Sequence, residues 1–327
     1  MEWIKEVMGD PGNAVFWMKL LCVIGFIFCV WIVGRDVKKK FADPGFAAEL
    51  EKQKKHFWWN SMVGFVANFF DTLGIGSFAP STAMYKMKGS VDDINIPGTL
   101  NVGDTFPVLV EAFLFFGFVD MNPLTLILML VAATAGAWLG ADIVTKLDRT
   151  KVRWAMGIGL FILGIVMACR QFGVGPFGVN GEAMGVSGVK LVIAVVVNFI
   201  LGALMNIGVG LYAPCMALCA VLGMHVGTAF PAMMGSCAYL MAFGNTPVFV
   251  KASRYDVIGV LTNGIFGCIG VYVAYYLVKS LPLTVLLYIV ICVVFITSLM
   301  FFRDAIKDSK AKKDAIKDDM AKKDLNA

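Results

Sequence analysis

Nine apolar stretches punctuate the chain, at roughly 15–34, 58–84, 98–118, 122–145, 152–169, 188–222, 227–250, 257–278 and 282–302. Most approach the ~20 residues that a helix needs to cross a bilayer, and the polar segments between them are short. The pattern predicts an all-α integral membrane protein. Two stretches are irregular, because each is interrupted by a glycine pair and a proline. Gly74-Ile75-Gly76-Ser77-Phe78-Ala79-Pro80 returns 134 positions later as Gly208-Val209-Gly210-Leu211-Tyr212-Ala213-Pro214. Glycine is costly inside a helix, and proline lacks an N–H and clashes with the preceding turn. Backbone freed this way at membrane depth must face protein or a water-lined cavity, so two matched breaks predict a binding site built from two halves.

The duplication extends past the phrase itself. At the same offset Phe65 answers Phe199 and Ala83 answers Ala217, while Gly98-Thr99 answers Gly227-Thr228 after a skip of five residues. The repeating unit is one broken element followed by three crossings. This divides the chain into an N-terminal helix with a basic loop (1–57), a first repeat (58–170), a second repeat (187–302) and a charged tail (303–327). Residues 1–57 have no internal counterpart and read as an added, retained transmembrane anchor, since a signal peptide would carry a basic start and a small-residue cleavage site. Phe57, Trp58 and Trp59 suit an interfacial aromatic belt.

Charge placement decides between two topologies. Of the 28 Lys and Arg, 23 fall in five places: 35–57, 86–88, 146–153, 251–254 and the tail from 303. Basic short loops favour the cytoplasm. Nine full spans would put 86–88 and 146–153 outside. If 58–84 and 188–222 instead dip in and return, all five basic regions lie on the cytoplasmic side, with the N-terminus outside and the tail inside. The second arrangement is preferred. It makes the fold two inverted repeats, each with a re-entrant broken helix plus three crossings, and an extra N-terminal transmembrane helix. The tail repeats itself (DAIKDSKAKKD, then DAIKDDMAKKD) and reads as solvated and partly helical.

Candidate chemistry gathers at the breaks. A helix restarting at Pro80 or Pro214 has first-turn N–H groups without intrahelical partners and the positive end of its dipole. Two such ends aimed at the bilayer centre form an anion site without a buried lysine. Gly74, Gly76, Ser77, Pro80, Ser81 and Thr82 of the first copy, with Thr99 and Asn101 after it, supply backbone and polar ligands; Asn206, Gly208, Gly210, Tyr212, Pro214 and Cys215, with Thr228 and Ser236, do so in the second. Asn68 and Thr72 stand nearby. Asp71, Asp104, Glu111 and Asp142 are carboxylates inside apolar runs, where ionisable groups are costly and usually functional. Asp71, Asp104 and Glu111 are the candidates to couple a proton or sodium, whereas Asp142 pairs more simply with Lys146 one turn on. Asp71 faces the alternatives of capping a short helix or partnering a nearby basic group.

With 59% hydrophobic and 16% charged residues, no soluble catalytic domain has room. There is no nucleophile–base set, Walker loop or zinc spacing, so no catalytic residue, cofactor, metal or nucleic-acid partner is expected. Eight scattered cysteines read as packing groups.

A glycine-rich break ending in proline, repeated near the start of each half of a permease, resembles the sulfite exporter TauE/SafE family, also called the 4-toluene sulfonate uptake permease family. The likeness covers about 58–302, and Lys146 to Trp154 (KLDRTKVRW) is similar to that family's basic loop. The resemblance implies transport of a small sulfur oxyanion, such as sulfite or an organosulfonate, across the cytoplasmic membrane, driven by an ion gradient. It implicates Gly74, Gly76, Pro80, Gly208, Gly210 and Pro214. Ser77-Phe78 and Leu211-Tyr212 stand where family members often carry further glycines, and the N-terminal span is a second departure. An anion channel and a non-transporting scaffold are the alternatives.

Overall fold

A computed structural model of the chain describes residues 7–74, 76–92, 94–144, 149–172, 181–205, 210–280 and 283–325. The described residues are all-helical, apart from an isolated bridge between Ala183 and Met224. Among them Ala14–Phe41, Val226–Lys251 and Val257–Leu277 are long and apolar enough to cross a membrane.

Helix α1 (Ala14–Phe41) starts at Asn13, whose side-chain oxygen accepts the Val15 N–H at 3.0 Å. It ends on Lys38, Lys39 and Lys40, which suit the negative end of its dipole. A short turn at Pro44–Phe46 and the polar α2 (Ala47–Lys54) lead into α3 (Phe57–Thr72). Past α3, Gly74 and Gly76 take φ of 93° and 88°, left-handed values that a Cβ would penalise. The chain then doubles back as α4 (Phe78–Lys88). Trp59, near the start of α3, donates its indole N–H to the Met84 carbonyl, near the end of α4, at 3.2 Å.

The second broken run folds the same way. Helices α9 (Gly188–Leu204) and α10 (Tyr212–Val221) form a hairpin, in which Lys190 in the first turn of α9 donates to the Leu222 carbonyl just past α10 at 3.0 Å. That bond also satisfies a carbonyl left orphaned by the helix end. One expectation shifts here: α4 and α10 begin at Phe78 and Tyr212, so Pro80 and Pro214 are third residues and not first. The first four N–H groups of a helix have no intrahelical partner, so proline costs no hydrogen bond at the third position either.

Each hairpin is followed by a bent segment and two long helices. In the first half these are α5 (Ile96–Gly103), α6 (Thr105–Phe115), α7 (Pro123–Val144) and α8 (Arg149–Gln171). Asp104 stands at the joint between α5 and α6, where Pro107 has no N–H for the Gly103 carbonyl. The second half has α11 (Ala229–Tyr239), a π-helical turn (Leu240–Asn245) and α12 (Thr246–Lys251), bent around Pro247. Helices α13 (Val257–Ser280) and α14 (Leu283–Leu325) complete it. The tail is helical through Leu325, a continuation of α14, and Arg153 on α8 pairs with Asp308 at 2.7 Å.

The halves exchange partners. Helix α3 lies along α13 and α9 along α7, while α6 packs on α11 and α8 on α14. A Cβ on Gly270 of α13 would collide with the Phe65 carbonyl oxygen of α3, and one on Gly136 of α7 with the Phe199 carbonyl oxygen of α9. Phe65 and Phe199 are 134 residues apart, and so are Gly136 and Gly270. One backbone-to-backbone crossing is therefore built twice, at the offset of the sequence repeat, and small residues make that close approach possible. At the centre every residue of α11 is buried, and Phe115 of α6 stacks on Phe230 at 5.2 Å. Helix α1 leans on this core, where Tyr239 donates its hydroxyl to the Met18 carbonyl at 2.8 Å. Cys22, Cys29, Cys215, Cys219 and Cys237 are buried free thiols. The side chain of Asp142 and the whole of Lys146 lie outside the described residues.

Candidate functional site

Asp104 is fully buried at the α5–α6 joint and is held by three side-chain donors from three other segments. Its Oδ1 accepts Nδ2 of Asn263 (α13) at 2.5 Å and Nδ2 of Asn68 (α3) at 3.3 Å, and its Oδ2 accepts the Ser77 hydroxyl at 3.1 Å. Asn68 also donates to Asn263 Oδ1 and to the Gly64 carbonyl, both at 2.8 Å. The polar joint of one helix is thus tied to the first break and to a helix of the other half.

Glu111, one and a half turns into α6, spans the two breaks. Its Oε1 accepts the Thr72 hydroxyl, at the end of α3, at 2.8 Å. Its Oε2 accepts the Tyr212 hydroxyl, at the start of α10, at 2.6 Å. Asp71, 2% exposed, lies beside Ser77 and faces both Glu111 and Asp104. No ion pair among the described residues involves any of these three carboxylates. A carboxylate shielded from water without a cation must be neutralised, by a proton or by a bound cation.

The breaks also touch through apolar groups, since a Cβ on Gly74 would fall 2.6 Å from Met216 Cε of α10 and 3.6 Å from Met233 Cε of α11. Their second glycines face space instead. A Cβ added to Gly76 or to Gly210, its counterpart in the repeat, would meet no atom within 4 Å. Neither following helix has a side-chain cap: the residues before α4 and α10, Ser77 and Leu211, make no capping hydrogen bond. Pro80 and Pro214 have no N–H, and Ser81 and Cys215 donate to the Ser77 and Leu211 carbonyls at 3.0 Å, so the N–H groups of Phe78, Ala79, Tyr212 and Ala213 are the ones left without an intrahelical partner.

Of the other residues singled out in the sequence, several are engaged elsewhere. Thr99 accepts the Asp256 N–H at 2.9 Å at the start of α13. Asn101 accepts Nδ2 of Asn245 at 2.8 Å, beside a Thr105–Thr246 hydroxyl contact also at 2.8 Å, so it links the two bent segments. Thr228 donates to the His225 carbonyl at 2.7 Å, and Ser236 accepts Nδ2 of Asn198 at 3.0 Å. Thr82 is half-buried on α4, while Ser81 and Cys215 are fully buried. Asn206 and Gly208 lie outside the described residues. Sequence reasoning passed over Asn263, Asn198 and Met216. The first two carried the signal that flagged the acids, a polar group inside an apolar run; Met216 carried none.

Residues 11–167 match a family model described as Sulfite exporter TauE/SafE. The matched stretch begins before α1 and ends within α8, so it takes in the N-terminal helix, the first break, Asp104 and Glu111, but not the second half. No curated protein and no solved structure matches the chain.

Proposed function

From the match of residues 11–167 to the sulfite exporter TauE/SafE family model, we propose that this chain is a secondary transporter for a small sulfur-containing oxyanion such as sulfite or an organosulfonate. The observation that carries the proposal is Glu111 joining the two breaks, with open space beside Gly76 and Gly210. The anion sits there, against the uncapped first turns of α4 and α10, with Tyr212, Ser77 and backbone N–H groups as ligands.

The hairpins are read as re-entrant from opposite faces, which makes the two halves inverted repeats. Helix lengths support this: at 1.5 Å per residue α4 and α10 extend about 16 and 15 Å, well short of the ~30 Å hydrocarbon layer. The reciprocal pairing of α3 with α13 and α9 with α7 supports it too. Alternating access then comes from one half rocking against the other about the fixed site.

Three carboxylates around an anion site set a condition. An oxyanion cannot approach them while they are charged, because like charges at close range in low dielectric repel strongly. Protons on Asp71, Asp104 or Glu111 lift that repulsion, so proton and anion bind together and travel in the same direction. The sign of net movement follows from the two gradients.

Flux into proteoliposomes tests the proposal, using sulfite, sulfoacetate, taurine and thiosulfate with and without a pH gradient. Saturable flux of at least one, with counterflow and with protons moving alongside the anion, is expected. Absence of flux for every compound would overturn it. Flux without saturation or counterflow would point to a channel.

A further inference from the structure

Seven of the described residues hold a buried side-chain polar atom without a hydrogen-bond partner, and five of them lie in the first hairpin or directly after it: Asn60, Asn68, Ser81, Tyr85 and Ser90. Asn60 leaves both amide atoms unpaired. All five are 4% exposed or less. Buried polar groups almost always find partners, and when protein supplies none, ordered water does.

Their placement is regular. Asn60, Gly64 and Asn68 follow one another at four-residue spacing on α3, and Ser77, Ser81 and Tyr85 do so up to and along α4, so each set forms one stripe. Helix α4 runs back along α3, and the α3 stripe also turns toward α13, where a Cβ on Gly64 would fall 2.8 Å from Asn263 Cα and where Asn68 donates to Asn263. One end is Ser77, which donates to Asp104, beside the open space at Gly76. Tyr85 packs with Val63, Val91 and Leu100 and has Asp104 and Asp256 as its charged neighbours. Ser90 lies past the other end, where Lys86 and Lys88 mark the face that charge counting assigns to the cytoplasm. The second hairpin carries less of this lining: among its described residues Asn198 Oδ1 on α9 is the one buried side-chain oxygen or nitrogen without a partner. At the repeat offset of 134, Leu211, Cys215 and Cys219 replace Ser77, Ser81 and Tyr85.

We propose that the seam where α3 meets α4 and α13 is a water-filled lane that carries protons between Asp104 and the face bearing Lys86 and Lys88, and that its counterpart around α9 and α10 forms no continuous lane. The inference rests on the transporter reading and gives the coupling ion, the proton, a one-sided route. Each transfer moves a proton from one water or hydroxyl to the next, so one O–H bond forms as another breaks. The last step protonates Asp104, with Asp71 on α3, Glu111 on α6, Tyr85 on α4 and Asp256 ahead of α13 as the other titratable groups around the route, and with no cation paired to Asp104 among the described residues.

Two measurements test it. X-ray hydroxyl-radical footprinting of the unmodified protein labels buried side chains that touch water. Tyr85 is expected to be oxidised at least fivefold faster than Tyr239, which is also buried but donates its hydroxyl to the Met18 carbonyl. Equal rates would overturn the lane, whatever the transport assays give. In proteoliposomes, Tyr85→Phe combined with Ser90→Ala is expected to slow proton-coupled net flux about tenfold while substrate counterflow persists, and Cys219→Ala in the second hairpin is expected to change neither. Unchanged proton flux in the double variant would overturn the route. Failure of every oxyanion to move in the unmodified protein would instead strike the transporter reading, and footprinting would still decide whether the seam is wet.

Discussion

At the residue scale, the described glycines of the two breaks do different jobs. Gly74 and Gly76 hold left-handed φ, whereas what is described of Gly210 is the open space a Cβ there would enter. Gly210→Ala should therefore fold within about 0.5 kcal/mol of the parent, as substitutions free of steric clash do, yet lower oxyanion flux severalfold by filling the space. Unaltered flux would place the substrate elsewhere. Gly76→Ala should cost about 1–2 kcal/mol through its φ alone, read as a lower melting temperature. Asp256, just ahead of α13, gives a pH prediction. Burial, with Glu49 and Asp92 adding to it, raises its carboxyl to about 7. A carboxyl raised on folding stabilises the folded state most when protonated, so that contribution is present at acid pH and is lost as pH climbs through about 7. Thermal stability in detergent should then fall between pH 5 and pH 8, and Asp256→Asn should flatten the decline; parallel curves would refute it. The acids were legible in the sequence because charge inside an apolar run is conspicuous. Their partners were not: Asn263 is 159 residues from the Asp104 it binds, and no local pattern reports so distant a contact.

At the element scale, the doubled crossing makes a paired prediction. Gly136→Ala and Gly270→Ala each drive a methyl into a backbone carbonyl of the neighbouring helix. Neither backbone can yield cheaply, so each variant should lose about 1–3 kcal/mol, the usual cost of overpacking. Matched losses in melting temperature would show that the two crossings are energetically equivalent; a neutral change at either would break the equivalence. Helix existence was readable from hydropathy, and the repeat from its glycines and prolines. Where α4 and α10 start was not, because proline is tolerated anywhere in the first turn and so marks a helix start only to within a turn. The return of α4 along α3 left no trace in hydropathy. It entered the sequence reading through lysine placement alone, and the Trp59 bond to Met84 ties the start of α3 to the end of α4.

At the scale of the whole molecule, topology is the remaining test. With cysteines at Lys88 and Lys151, both exposed, in a cysteine-free background, a membrane-impermeant thiol reagent added outside should leave both unlabelled. Labelling at both would favour nine spans and parallel repeats. The second half carries the site's Tyr212 and Asn263 but lies outside the matched stretch, so its role was legible only through likeness to the first half. One feature reaches beyond the site. Helix α14 passes without interruption from its apolar part into the tail, and Arg153 clamps it to α8 through Asp308. From residue 303 to Leu325 it extends about 34 Å at 1.5 Å per residue. Such a rod is a lever: a 10° tilt of the α8–α14 pair would sweep its tip through about 6 Å, given that rise. A spin label near the tip would thus act as a pointer, turning a small motion deep in the protein into a displacement large enough to read from outside it.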